Sequence, residues 1–140
     1  MKTPHLLLGA LIGLLGPLAA SRTTAQQVVA NSDVGIADIA KGALGDVLAG
    51  RASTLPGGGA VTIVIARASA ATDKMLPDLT GSSLDQFQAN WKRLVYVGKG
   101  KMPLFVADNK ELLEKVASTP GAIGLAESGP APGVKVIALK

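Results

Sequence analysis

The residues of this chain best suited to chemistry are Arg67, Ser69 and Thr72, in the segment R-A-S-A-A-T. They follow a β-branched apolar run and precede a stretch with helical pattern. An arginine can grip a phosphate through two parallel hydrogen bonds, and hydroxyls add neutral donors. A helix start contributes unpaired backbone N–H groups and a partial positive charge, which suits an anion without any dedicated cation. Asn31 and Ser32, after the first apolar run (QVVA), offer a second corner of the same kind. The candidate binding set is therefore Ser32, Arg67, Ser69 and Thr72, and its chemistry would be non-covalent capture of a small oxyanion. The competing reading of Ser69 and Thr72 is plain helix N-capping, and it is the preferred one.

Other chemistries are poorly served. The chain has no cysteine, which removes disulfides, thiolate catalysis and thiolate metal sites. Its one histidine is His5, close to the N-terminus. Ser32, Ser69 and Ser118 have no histidine to activate them, and no G-x-S-x-G occurs. The glycines at 57–59 are not followed by G-K-[ST], so they form no P-loop. Asp73 and Asp78 make a carboxylate pair without a supporting motif, while Asp108 and Glu111 are explained by capping. The expectation is a protein that is not an enzyme, with no catalytic residue, no metal site and no cofactor.

Charge excludes one further class. Of fourteen Lys and Arg, Lys2 and Arg22 fall in the N-terminal segment, leaving twelve against ten acidic residues. So small a surplus argues against nucleic acid. Tyr96 stands alone, without the aromatic array that stacks on single strands. The turn G-K-G-K at 98–101 could attract an anion. The preferred reading is a solvated turn after a helix, where the dipole favours cations.

The elements that must position these groups follow from patterning. Residues 1–25 read as a secretory leader: Lys2, then an apolar run at 6–15 too short to span a bilayer comfortably, then small residues. Cleavage fits after Ala25 or after Ser21, and the product is expected in the periplasm. Residues 26–140 then form one domain. Residues 27–30 predict the first strand. Asp38 can cap a helix over 39–49, weakened by Gly42 and Gly45 by about 1 kcal/mol each relative to alanine. Residues 60–66 (AVTIVIA) predict a strand covered on both faces. A helix is expected over 71–79, shortened or kinked by Pro77.

Ser83 and Gln86 form a capping box, and Leu84, Phe87, Trp91 and Leu94 share one helical face. Trp91 is thus a core residue. Phe105 and Val106 suggest a short strand. Asp108 and Glu111 form a second capping box before Leu112, Leu113 and Val116. Thr119, Pro120 and Gly121 stop that helix. Strands are expected at 122–126 and 134–139, separated by the loop ESGPAPG. Strands alternating with helices predict an α/β layer fold. Such a sheet presents ligand sites outside the carboxyl ends of its strands.

One stretch also carries a resemblance. W-x-R-L-x-x-x-G-K-G-x-x-P (Trp91, Arg93, Leu94, Gly98, Lys99, Gly100, Pro103) precedes V-A-S-T-P-G-A-I-G at 116–124. The segment ALGDVLAGR at 43–51 resembles a helix end of the same family. Together these resemble the small periplasmic phosphate-transporter substrate-binding-like proteins, which are similar to one lobe of a type II periplasmic binding protein. The resemblance covers roughly residues 27–126. It implies a single-lobe sheet flanked by helices that binds phosphate or another oxyanion. A membrane transporter or envelope protein would be the partner, and a homodimer could replace a second lobe. Full-length phosphate-binding proteins carry an R-x-D-G-S-G-T loop at a comparable point. Here R-A-S-A-A-T keeps the arginine, serine and threonine but lacks both glycines and the aspartate. The alternative is an accessory or structural interaction module that keeps the lobe and has lost solute binding.

Overall fold

The computed structural model describes residues 26–57, 59–128 and 131–140. The expected leader at 1–25 lies outside them. Within the described residues the strands are β1 (Gln27–Asn31), β2 (Asp38–Ile39), β3 (Thr62–Ala68), β4 (Leu104–Asp108), β5 (Ala122–Ala126) and β6 (Val134–Leu139). The helices are α1 (Lys41–Leu48), α2 (Ala70–Thr80), α3 (Leu84–Tyr96) and α4 (Asn109–Ser118). The strands form one sheet in the order β2-β6-β1-β5-β3-β4. β1 runs antiparallel to both β5 and β6, whereas β3 is parallel to β4 and β5, and β2 is parallel to β6.

The sheet separates two apolar layers. On one face Ile63, Ile65, Ile123 and Leu125 pack with Leu44 and Leu48 of α1, Leu76 of α2, and Phe87 and Trp91 of α3. On the other, Val29, Val64, Ala66 and Ala122 pack with Leu112 and Val116 of α4. This two-sided cover explains why Ile63, Val64, Ile65 and Ala66 are all buried. The α/β architecture with a sheet flanked by helices is therefore as the sequence predicts.

Several local expectations hold in detail. The Ser83–Gln86 capping box forms in both directions, and Phe87 and Trp91 are buried. The indole N–H of Trp91 donates to Leu48 O at 2.8 Å, tying α3 to the end of α1.

Others are corrected. Asp38 does not cap a helix. Asp38 and Ile39 pair with Ala138 and Leu139 as an edge strand, and the Asp38 carboxylate meets Lys140 Nζ at 3.0 Å. Helix α1 starts later, at Lys41, with Ala40 as an N-cap that has no side-chain bond. Gly45 weakens α1 for a reason: a Cβ there would lie 2.5 Å from Leu79 O of α2. Pro77 does not shorten α2, which ends on left-handed Gly81, whose N–H donates to Pro77 O. The carbonyl that proline leaves unbonded belongs to exposed Asp73, where water can reach it. The second capping box forms by half. Asp108 accepts from Glu111 N, but Glu111 Oε1 accepts from Ala107 N, because β4 carries extended backbone up to Asp108.

Candidate functional site

Because β3, β4 and β5 run parallel, their carboxyl ends at Ala68, Asp108 and Ala126 share one edge of the sheet. Helices α2 and α4 start there, so this is where the fold would offer amide groups to an anion.

The junction of β3 and α2 is tighter than expected. The strand continues through Arg67 to Ala68, and Ser69 alone joins it to Ala70, the first residue of α2. No loop remains to wrap a ligand. The missing glycines of R-A-S-A-A-T explain this, since only a flexible loop folds its amides around a guest. Ser69 is the N-cap: its Oγ accepts from Ala71 N at 3.1 Å. Thr72 is 1% exposed and its Oγ1 donates to Ala66 O at 2.6 Å, so the hydroxyl is committed inside the fold. Arg67 lies on the face shared with Phe105, its guanidinium carbon 4.8 Å from the ring centroid, in cation–π geometry.

The open amide at the start of α2 already holds an oxyanion. Ala70 N donates to Glu127 Oε2 at 2.8 Å. Glu127 is the first residue beyond β5, and its own N–H donates to Asn109 Oδ1 at 2.7 Å. The first residue of α4 thereby fixes the backbone that carries the carboxylate. A tethered group of this kind acts at an effective concentration in roughly the millimolar range, so a free anion must exceed that to displace it. Asp73 in the first turn of α2 adds a second negative charge, as Asp108 and Glu111 do at the start of α4. This edge is electrostatically satisfied by its own side chains.

Ser32 lies elsewhere. β1 runs against β5, so Gln27 faces Ala126 while Asn31 pairs with Val134 at the opposite edge. Ser32, one residue further, is separated from Ser69 by the length of the strands, on the order of 15 Å. Its backbone N–H donates to Gly133 O. Asn31 is likewise structural: buried, it donates to Val116 O, Ala117 O and Thr119 O at 2.9–3.1 Å and so closes the end of α4. The structure thus brings Arg67, Ser69 and Thr72 to one corner and leaves Ser32 at the far edge. Three surface cavities, of about 300, 390 and 400 Å³, are lined by none of the four.

Sequence reasoning passed over Glu127 and Asn109. Glu127 carried a signal. It is the first charged residue after an apolar strand, at the carboxyl end where the fold places ligand contacts. Reading it as part of a Gly/Pro loop hid that.

No protein-family model and no curated protein matches the chain. Solved structures do. One is described as a phosphate ABC transporter substrate-binding protein of Clostridium perfringens with bound phosphate. It superposes with a TM-score of 0.62 at 13% identity, over 81% of this chain and 44% of that one. Another, an ABC-type phosphate transport receptor of Vibrio cholerae, gives 0.52 at 14% identity, over 81% and 45%. The chain has the fold of part of a phosphate-transport substrate-binding protein. It spans less than half the length of either neighbour.

Proposed function

We propose that this chain is an exported, non-catalytic module of the solute-binding-protein type, acting by contact with an envelope protein or a second copy. In this reading it does not hold a free oxyanion by itself. The observation that supports the reading is Glu127: its carboxylate occupies the first amide of α2, at the corner where a bound phosphate would sit. The Thr72 hydroxyl donates to Ala66 O, Ser69 Oγ accepts from Ala71 N as the cap of α2, and Ser32 is remote.

A second reading has its own support. The solved neighbours include a protein with bound phosphate, and Ala70 N–H does donate to an oxyanion, here the internal carboxylate of Glu127. In that reading the chain serves a phosphate-type transporter. Phosphate displaces Glu127 and is held by Arg67, Ser69 and Thr72.

Calorimetry of the protein lacking residues 1–25, with phosphate and sulfate, separates the two. The contact-module reading predicts no saturable heat up to millimolar anion. Saturable binding that Arg67→Ala weakens beyond the effect of removing a distant charge, such as Lys135→Ala, establishes the second reading instead. Export is checked separately, by the N-terminus of the protein recovered from the periplasm: a start at Gln26 or Arg22 is expected.

A further inference from the structure

The opposite edge of the sheet holds a cavity of about 390 Å³, within the range of small-molecule sites. It opens where β3 and β4 begin, between the end of α1 and the turn that follows α3. Val47, Val61, Trp91 and Met102 supply much of its wall, and Lys99 and Lys101 stand at the basic turn beside them. The indole N–H of Trp91 is already bonded to Leu48 O, so the ring adds apolar surface and no open donor. Gly100 lets the turn lie against that ring, since a Cβ there would come within 3.0 Å of Trp91 Cζ3. Both lysines are exposed, and neither takes part in an ion pair among the described residues.

An apolar wall with two uncompensated ammonium groups at one side selects a particular ligand. A sugar or nucleotide needs several converging polar groups, and beyond the lysines the wall offers little more than Ser53 and Thr62. A small inorganic anion would leave the apolar wall unused. We propose that this cavity binds a small amphipathic anion, an aliphatic or aromatic body carrying one carboxylate or sulfonate. The body enters against Trp91 and Met102, and the charged group stays at the mouth with Lys99 and Lys101. The G-K-G-K turn thereby gains a role that capping α3 does not require. The site is at the far edge from Glu127 and does not rest on either reading of that corner.

Trp91 is the chain's single tryptophan, so its emission reports the cavity directly. The probe is decanoate, titrated below its self-association concentration, with decanol as the uncharged control and inorganic phosphate as the anion without a body. The expected result is a saturable one-to-one change in Trp91 emission with decanoate, weaker binding of decanol, and no effect of phosphate. Lys99→Ala with Lys101→Ala is expected to weaken decanoate about fivefold, the size of two exposed ion pairs, and to leave decanol unchanged. Ala52→Phe fills the cavity and is expected to abolish binding. Its folding is verified by its thermal transition, and the lysine variant, altered only at exposed positions, tests the proposal independently. No saturable emission change with decanoate overturns the proposal. So does binding that is equally strong for decanol, or that survives both the lysine substitutions and a folded Ala52→Phe.

Discussion

The two edges of the sheet differ in how completely they are satisfied from within. At the carboxyl ends of β3, β4 and β5, most groups that sequence patterning offers to a ligand have an internal use: Ser69 Oγ caps α2, Thr72 donates to Ala66 O, Arg67 lies over Phe105, and Glu127 fills the amide of Ala70. At the amino ends of β3 and β4, an apolar cavity stays open beside two lysines that form no ion pair among the described residues. A fold that places ligands at strand carboxyl ends is here closed at that edge and open at the other. The lesson is that fold likeness locates where a site can be built. Only the accounting of donors and acceptors says whether that site is vacant.

Substitutions at each edge sharpen this contrast. The largest effect is expected from Trp91→Ala, which removes a wall of the open cavity and the bond to Leu48 O. Loss of a large buried aromatic costs about 3–5 kcal/mol, read as a lower urea midpoint. Asn31→Ala comes next. Its side-chain amide serves three carbonyls at the end of α4 and Asp33 N. Leaving them bare is expected to cost about 2–3 kcal/mol. Asn31→Asp, equal in size but with an acceptor where the donor stood, is expected to be at least as damaging. If it is neutral in urea melts, the donor geometry assigned to Asn31 is wrong.

At the closed edge the effects are smaller. Ser69→Ala removes the N-cap of α2 and is expected to cost about 1 kcal/mol, with no change in decanoate binding at the far edge. Glu127→Gln keeps the shape and removes the charge at the helix start, an effect of less than about 1 kcal/mol at such a partly exposed site. A much larger loss in thermal unfolding would mean that Glu127 supports the fold in a way its two hydrogen bonds do not explain.

What was legible in the sequence was what short-range patterning controls. Ser83 and Gln86 announce α3 because a capping box is closed within four residues. Residues 122–126 and 134–139 read as strands because apolar runs between Gly/Pro breaks have few other uses, and both spans are as expected. What was not legible depends on partners far along the chain. Asp38 looks like a helix cap until Ala138 is placed beside it. Ser32 looks like a companion of Ser69 until β1 is known to run antiparallel, and no local pattern encodes strand direction. Glu127 reaches an amide 57 residues away. The anion-binding character of R-A-S-A-A-T rests on residue types and on a place between an apolar strand and a helix start, and neither shows which donors are already bonded. The absence of glycine fits a strand that passes into a helix with only Ser69 between.

The most direct probe of the closed corner is the amide of Ala70 itself, followed by ¹⁵N–¹H NMR. The account predicts that Glu127→Gln moves this resonance strongly, while millimolar phosphate leaves it in place in the unaltered protein. A saturable shift of the Ala70 amide on adding phosphate to the unaltered protein would contradict it.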